Sequence, residues 1–367
     1  RSMKITDIHT GMLRVPLRTP FRTALRTVEA IEDVVVLLRT DTGHTGHGSA
    51  AATAVITGDT HGSILAAVRD VIRPRLIGRE VADLNRNCAL VQGALEHNTS
   101  AKAAVEIALY DLWAQLHGAP LYQMLGGGTP RLATDLTIST GEPEGMVAAA
   151  IAAIERGFTA LKVKVGLEAR HDLARVQAIH AAVGERACIR LDANQGWTAR
   201  QAVQIMRALE DAGVVAELLE QPVRSDDVAG LAYIRERIAT PVMADESVFG
   251  PLQALTVIQG RAADIVNIKL MKTGGLSTAI RVADIAALHR VPCMMGCMIE
   301  SSISAAAAAH LAVARSDVIR LIDLDGPSLG AFDPVVGGTH FDDAVVRLPD
   351  SPGLGINAID GLELLAD

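Results

Sequence analysis

The stretch FTALKVKVG at residues 158–166 decides the fold class and raises the first chemical question. Its valine, leucine and aromatic side chains predict a β-strand, in which successive side chains alternate between two faces. Lys162 and Lys164 therefore share one face, and the three aliphatic residues Leu161, Val163 and Val165 share the other. Because a buried ammonium group is costly unless an anion offsets it, an internal strand of this kind requires carboxylates nearby.

Further short apolar strands recur after Pro130, separated by helical segments. They read TDLTIST, TALKVKV, CIRLDA, ELLEQP, VMADE, IVNIKL, CMMG and RLIDLD, and a polar residue near the strand end returns every 24 to 30 residues. Eight strands at this spacing predict a parallel β/α barrel, with an open doubly wound sheet as the structural alternative.

The first third of the chain has a mixed pattern. MKITDIHTGMLRV and DVVVLLRTDTG predict strands, the second ending in a turn. Residues 101–117 predict a helix, with Thr99 or Ser100 as its N-cap and Gly118 as its stop. The LGGGTP run at residues 125–130 predicts a hinge into the barrel, and the last segment, from about residue 346, is predicted to pack back on the N-terminal part.

Composition narrows the functional class. A chain of 367 residues with 49% apolar residues predicts a substantial core, and a net charge of −8 argues against a nucleic-acid partner. No apolar run approaches the length needed to span a membrane, and no signal peptide is recognisable. The four scattered cysteines form no CxxC pair, which favours a reducing compartment and hence a cytoplasmic location.

Charged residues at the strand ends answer the question raised by the two lysines. In a β/α barrel the carboxyl ends of the strands meet at one mouth. Asp192, Glu220 and Asp245 end three successive strands there. Three carboxylates pointing into one mouth repel strongly unless a cation holds them, and an all-oxygen set suits Mg²⁺, with Mn²⁺ as the alternative.

The lysines are expected to act as acids and bases. Lys164 on the second strand and Lys269 on the sixth lie on opposite sides of an eight-stranded barrel. Two bases on opposite faces of one carbon can remove a proton from one side and return it on the other, which inverts a stereocentre. Such a lysine needs a pKa lowered from about 10.4 toward about 7–8. Lys162 is better placed to stabilise the anion that deprotonation creates.

The motifs KVKVG, RLDANQGW, LLEQPV, MADES and NIKLMKTGG occur in the order typical of one family. With them the chain resembles the muconate lactonizing enzyme subgroup of the enolase superfamily. The resemblance implies an α/β fold, a modified (β/α)7β TIM-like barrel with an N-terminal α+β capping domain. It implies a cap over residues 3–128, completed by about 346–367, and a barrel over 129–345. It also implies Mg²⁺ on the three carboxylates, Lys164 and Lys269 as the acid/base pair, and a homo-oligomer.

The segment LIDLD discriminates between reactions of the subgroup. Asp323 and Asp325 are two residues apart, so both face one side of the last strand and could bind a free ammonium group. An N-acylated or amine-free substrate would leave two buried carboxylates unpaired. The DxD pattern resembles that of the dipeptide epimerases, in which it holds the N-terminal amine.

Loop residues suggest which dipeptide is bound. The segment PFRTALRTV resembles a loop of the L-Ala-D/L-Glu epimerases in which an arginine, here Arg26, meets the glutamate side chain; a bidentate guanidinium suits that task. The other positions that match this family's substrate pocket are Ile56, Thr137, Cys297 and Ile299.

The sequence therefore predicts a Mg²⁺-dependent epimerase that acts on L-Ala-L-Glu and L-Ala-D-Glu, a small dipeptide substrate found in murein peptide metabolism. Three alternatives stay open at this stage. They are an epimerase with a preference for hydrophobic dipeptides, an N-acylamino acid racemase or o-succinylbenzoate synthase, and a non-catalytic metal-binding barrel.

Overall fold

The computed structural model describes residues 2–367. The strands are β1 (Ile5–Arg22), β2 (Thr27–Thr40), β3 (Thr45–Ala51), β4 (Arg131–Ala133), β5 (Leu136–Ile138), β6 (Ala160–Lys164), β7 (Cys188–Asp192), β8 (Ala216–Glu220), β9 (Val242–Ala244), β10 (Ile265–Ile268), β11 (Cys293–Met295), β12 (Ile319–Ile322), β13 (Val335–Gly337), β14 (His340–Asp342), β15 (Val345–Arg347), β16 (Ile356–Ile359) and β17 (Glu363–Leu364).

The α-helices are α1 (His61–Ala66), α2 (Arg73–Leu76), α3 (Leu84–Gln92), α4 (Thr99–His117), α5 (Leu121–Met124), α6 (Pro143–Glu155), α7 (Ala169–Val183), α8 (Ala199–Asp211), α9 (Val228–Arg235), α10 (Pro251–Gln259), α11 (Leu270–Thr273), α12 (Leu276–Leu288), α13 (Ser302–Ala314) and α14 (Gly326–Leu329). A π-helical segment (Ala67–Ile72) joins α1 to α2, and a 3₁₀ turn (Gly184–Arg186) follows α7. None of the helices in residues 2–367 is long and apolar enough to cross a membrane.

The eight predicted barrel strands are confirmed. β5 to β12 form one parallel sheet in which every strand neighbours the next along the chain. This sequential order excludes the open doubly wound sheet, in which the strand order reverses. The inner face of the sheet carries an apolar floor formed by Leu218, Met243, Ile265 and Met294. The charged residues at the carboxyl ends of the strands lie above this floor.

The barrel closes imperfectly between its first and last strands. β5 and β12 form no ladder, because only one backbone hydrogen bond connects their facing edges, from Asp135 N to Ile322 O (3.1 Å). Side chains complete the seam, because Leu324 N donates to Thr134 Oγ1 (2.9 Å) and Thr137 N donates to Asp325 Oδ2 (2.7 Å). The structure is thus a modified (β/α)7β TIM-like barrel, as the resemblance implies.

An antiparallel sheet and helices form the N-terminal α+β capping domain. The sheet order is β17-β1-β2-β3, and β17 brings the end of the chain onto β1. β3 packs against α4 through Gly46 and Gly48, where an added Cβ would collide with the carbonyl oxygens of Ala108 and Ala104. Only glycine permits this approach. The exact domain boundaries, 3–128 with 346–367 and 129–345, stay a prediction.

The predicted cap of α4 is wrong. Thr99 and Ser100 are its first helical residues, and Asn98 precedes them with φ 49° and no capping hydrogen bond from its side chain. The donor at Ser100 N is instead satisfied by Asp59 Oδ2 (3.3 Å), a residue distant in the chain. Gly118 ends the helix in the left-handed conformation (φ 68°), as predicted.

Two buried carboxylates of the cap hold it against the barrel. Glu106 of α4 accepts hydrogen bonds from the backbone N and the hydroxyl of Ser277 in the first turn of α12. Asp33 of β2 accepts one from Ser301 N (2.9 Å), immediately before α13. Each carboxylate satisfies a free amide at a helix N-terminus, where the helix dipole favours negative charge. These contacts fix the cap loops over the mouth of the barrel.

A buried histidine makes the stability of the fold pH-dependent. His310 of α13 accepts a hydrogen bond from Tyr122 N at Nδ1 (2.9 Å), and burial lowers its pKa to about 3. Below about pH 6.5 this histidine therefore binds a proton in the unfolded chain but stays neutral in the folded chain. The stability due to neutral His310 is complete above that pH and is lost as the pH falls toward 3, at up to about 1.4 kcal/mol per unit.

We expect the melting temperature of the wild type to fall more steeply between about pH 7 and pH 5 than that of His310→Asn. The asparagine Oδ1 can still accept from Tyr122 N but does not titrate. Differential scanning calorimetry at both pH values measures the two slopes, and equal slopes would contradict the assignment.

Candidate active site

Both lysines of β6 point into the barrel and are buried. Lys162 is 1% exposed and Lys164 is 5% exposed. In the sheet, Lys164 is the direct neighbour of Asp192, and that residue in turn is the neighbour of Glu220. The alternation of a β-strand thus brings the lysines and the first two predicted metal ligands together.

The three predicted metal ligands lie side by side at the strand ends and are fully buried: Asp192 ends β7, Glu220 ends β8 and Asp245 follows β9. Burial and the neighbouring Asp192 raise the pKa of Glu220 to about 8, as expected for carboxylates placed close together in a buried site. No cysteine or histidine joins this oxygen donor set among the described residues. This donor set favours Mg²⁺ or Mn²⁺ over Zn²⁺.

Each of these carboxylates is within 2.6 Å of a lysine ammonium group. Lys162 pairs with Glu220, Lys164 with Asp192 and Lys269 with Asp245. Burial lowers the pKa of Lys269, but Asp245 outweighs this effect and holds that pKa above its ordinary value. This differs from the lowered pKa that a lysine base requires, because the Asp245 charge is directed at the ammonium group.

A second group of acids lies nearby. Oxygens of Asp135, Asp323 and Asp325 all lie within 4.8 Å of one another, close enough to surround a cation. Each acid already accepts one hydrogen bond from the protein: from Arg190 (3.0 Å), Lys162 (2.6 Å) and Thr137 N (2.7 Å), respectively. The three acids at the strand ends are paired with lysines in the same way, so these contacts do not choose between the two groups. The metal on the strand-end trio and an ammonium group on Asp323 and Asp325 stay predictions.

One small cavity between the barrel mouth and the cap is lined by all the other predicted residues. Its lining comprises Phe21, Thr23, Arg26, Ile56, Thr137, Lys162, Lys164, Asn194, Lys269, Cys297, Met298, Ile299, Asp323 and Asp325. Lys164 and Lys269 stand four strands apart, so they face each other across it. A larger cleft in the cap, at Arg39 and His44, contains none of these side chains.

Arg26 lies in the turn between β1 and β2, which is closed by a hydrogen bond from Thr23 N to Arg26 O (3.0 Å). Its side chain is half-buried, and burial lowers its pKa. Within residues 2–367, no carboxylate lies within 4.0 Å of its guanidinium nitrogens. A desolvated cation without an internal anion, on the wall of a cavity, is suited to bind a carboxylate from outside.

The apolar walls come from the cap and from the segment after β11. Ile56 lies in a helical turn held by the hydrogen bond from Ile56 N to Thr53 O (3.0 Å), and it is half-buried. Ile299 is 8% exposed and packs with Val15 and Ile31 of the cap. Cys297 Sγ lies 3.4 Å from Asp323 O, so this thiol borders the predicted ammonium subsite.

The sequence reading missed residues that support the site. Gln221 has φ 34° and uses its whole amide: Oε1 accepts from Asp245 N (2.9 Å) and Ser247 N (3.2 Å), and Nε2 donates to Val223 O and Ser247 Oγ. Lys272 donates to three backbone carbonyls around Asp245. Gln221 lies in the motif LLEQPV and Lys272 in NIKLMKTGG, so membership of a family motif was the only feature of the sequence that could have pointed to them.

Four further cavity residues were also missed: Phe21, Thr23, Asn194 and Met298. The Phe21 ring centroid lies 5.7 Å from Lys164 Nζ, which covers this lysine on the cap side. Asn194, within the motif RLDANQGW, donates to Glu246 (3.2 Å). Phe21 and Thr23 belong to PFRTALRTV, a segment from which only Arg26 was singled out.

Two family models match the chain. Residues 6–126 match the mandelate racemase / muconate lactonizing enzyme N-terminal domain, and residues 145–360 match the enolase C-terminal domain-like model. The L-Ala-D/L-Glu epimerase of Clostridium acetobutylicum is 45% identical over 98% of this chain and 100% of its own. That of Bacillus subtilis is 47% identical over 96% and 97%.

Solved structures agree with these relatives. The substrate-liganded L-Ala-D/L-Glu epimerase from Bacillus subtilis superposes with a TM-score of 0.95 at 46% identity, covering 97% of this chain and 99% of that one. A dipeptide epimerase from Enterococcus faecalis, complexed with Mg and L-Leu-L-Tyr, gives 0.93 at 37% identity over 97% and 100%.

Proposed function

The chain belongs to the mandelate racemase / muconate lactonizing enzyme family of the enolase superfamily, and from this premise we propose how its site works. The protein is a Mg²⁺-dependent dipeptide epimerase, an isomerase that inverts the α-carbon of the C-terminal residue and interconverts L-Ala-L-Glu and L-Ala-D-Glu. The observation that carries the proposal is the single cavity in which two opposed lysines meet an acidic pair and an unpaired arginine.

The two ends of the dipeptide are held by opposite charges. Asp323 and Asp325 take the N-terminal ammonium group, and Asp325 is kept in place by the hydrogen bond from Thr137 N. Arg26 takes the glutamate side-chain carboxylate. Asp192, Glu220 and Asp245 would hold Mg²⁺, which supplies positive charge beside the α-carboxylate and so acidifies the α-proton.

Inversion follows from the positions of the lysines. One of Lys164 and Lys269, in its neutral form, takes the α-proton, and the other, as an ammonium group, returns a proton to the opposite face. Reversal of these roles serves the other epimer. Lys162 lies beside Glu220 and Asp323, where its positive charge stabilises the anion formed between the two steps.

The reaction is tested by ¹H NMR of L-Ala-L-Glu in D₂O with enzyme and Mg²⁺. We expect the glutamate α-proton signal to disappear while L-Ala-D-Glu appears, with no exchange at alanine. Absence of exchange with folded, Mg²⁺-bound protein would refute this substrate assignment.

Arg26→Ala is expected to lower kcat/KM for L-Ala-L-Glu by about 10- to 100-fold, the value of a charge-assisted hydrogen-bonded pair. Activity on L-Ala-L-Leu should stay within about threefold, because that side chain offers no carboxylate. Exposed Arg22, four residues earlier, provides the matched control as Arg22→Ala. Unchanged activity on the glutamate dipeptide would favour the alternative, an epimerase of hydrophobic dipeptides.

The setting of the reaction also belongs to the proposal. L-Ala-D-Glu occurs in murein peptides, so the enzyme is placed in peptidoglycan metabolism, in the cytoplasm and as a homo-oligomer. The four free cysteines are consistent with a reducing compartment. Light scattering coupled to gel filtration measures the oligomeric state, and growth on murein peptides after deletion of the coding sequence tests the metabolic role.

A further inference from the structure

Asp135 is a buried acid that the mechanism above does not use. It immediately precedes β5, at the seam where the barrel closes, and it is fully buried. Its Oδ2 accepts a hydrogen bond from Arg190 Nη1 (3.0 Å). Its other oxygen, Oδ1, has no hydrogen-bond partner.

The neighbouring Asp323 has the same deficiency. Its Oδ2 accepts from Lys162 (2.6 Å), whereas its Oδ1 also lacks a partner. Oxygens of the two acids lie within 4.8 Å of each other. A buried acceptor without a donor is costly, and two ionised carboxylates placed together repel. One proton between the two free oxygens removes both penalties.

The charges around Asp135 favour its protonated form. Arg190 of β7 and Asp323 and Asp325 face Asp135 directly, Lys162 lies behind Asp323, and Glu217 pairs with the other side of Arg190 (3.2 Å). Lys162 is also shared with Glu220 (2.6 Å) and Asp192 (3.5 Å). Even after the substrate brings its ammonium group, the cations therefore do not outnumber the carboxyl groups around Asp135.

Asp135 is the acid that fits the proton. Its Oδ2 can act as the carbonyl oxygen that accepts from Arg190, which frees Oδ1–H to donate. Asp323 must stay ionised for Lys162. Burial and Asp323 also raise the pKa of Asp325 to about 7, but Asp325 has no buried oxygen without a partner that could share a proton with Asp323. Burial and the charge of Asp323 raise the pKa of Asp135 well above its ordinary value. At Asp323 burial acts in the same direction, but the charge of Lys162 outweighs it and lowers the pKa.

We propose that Asp135 is a positioning residue that stays protonated and donates its proton to Asp323, so that Asp323 presents its negative charge to the substrate's ammonium group. The role assigned to the ammonium group rests on the proposed function; the proton itself does not. Selectivity for a free amine then depends on three acids, of which only two are anionic.

The proton is tested on the resting protein by infrared difference spectroscopy at neutral pH. Wild type minus Asp135→Asn should show the carbonyl stretch of one protonated carboxylic acid, with the downshift expected in D₂O. Calorimetry confirms that the variant is folded. A difference spectrum without such a band overturns the proposal, whether or not the protein epimerises dipeptides.

The effect on recognition is tested with a substrate and its amine-free analogue, N-propanoyl-L-Glu, used as an inhibitor. Asp135→Ala should raise KM for L-Ala-L-Glu about 10- to 100-fold with a smaller change in kcat, while Ki for the analogue stays within about threefold. Asp135→Asn, whose amide keeps the donor toward Asp323 and the acceptor toward Arg190, should retain the wild-type KM. Equal weakening of both ligands by Asp135→Ala, or an Asn variant as impaired as the Ala variant, contradicts the proposal.

Discussion

Lys269→Ala is expected to lose epimerisation completely while keeping proton exchange at one epimer. Lys164 remains on its own side of the cavity, so it can still remove and return the α-proton of the epimer that faces it. Inversion fails because no group is left to protonate the opposite face, and general acid–base groups contribute about 10²- to 10⁴-fold each. ¹H NMR in D₂O, run separately on L-Ala-L-Glu and L-Ala-D-Glu, distinguishes exchange from inversion.

The matched variant is Lys164→Ala, which should exchange only the other epimer. The nearby Lys272 is a useful contrast, because its ammonium group is used by Asp245 and three backbone carbonyls and does not line the cavity. If both single variants exchanged the same epimer, or if Lys269→Ala still inverted, the two-base mechanism would be wrong.

Removal of the divalent cation is expected to reduce activity by more than about 10³-fold, and addition of Mg²⁺ should restore it. A cation held by Asp192, Glu220 and Asp245 would acidify the α-proton and neutralise these buried carboxylates. Asp245 lies 2.6 Å from Lys269 Nζ and holds the pKa of this lysine above its ordinary value, so a cation that takes up the Asp245 charge would favour the neutral lysine base. Activity after chelation with EDTA and dialysis measures the loss.

Calorimetric titration identifies the ligands independently of activity. Glu220→Gln should weaken Mg²⁺ binding at least about tenfold, since it removes one of three charged ligands. The same substitution at exposed Glu185 should leave binding unchanged. Full Mg²⁺ affinity in Glu220→Gln would place the metal elsewhere, and Asp135, Asp323 and Asp325 would then be the next group to test.

The barrel was predictable because its information is local. Each strand is short, apolar and alternating, and each ends in a polar residue, so the order β5 to β12 and the position of the mouth follow from spacing alone. The three carboxylates and the lysine pair belong to this repeating pattern. The substrate-pocket positions needed family motifs as well, because loops such as that of Arg26 have no periodicity.

The unpredicted features depend on contacts between distant parts of the chain. Asp59 caps α4 at Ser100, 41 residues away in the chain. Thr137 N donates to Asp325, which lies 188 residues further on. The side-chain amide of Gln221 connects the ends of two strands. In the sequence this glutamine is only one polar residue within LLEQPV. No local pattern marks such a residue, since its partners are chosen by the fold.

The sequence by itself determined the fold class and predicted one ring of metal and acid/base groups, because strand alternation and the carboxyl-end rule convert chain positions directly into one site. Its motifs, through their resemblance to a family, supplied the class of substrate. Only the tertiary structure decided which acid faces which cation and where a buried oxygen lacks a donor. Those properties arise when the barrel closes, because burial makes each unpaired charge costly and brings Asp135 and Asp323 together.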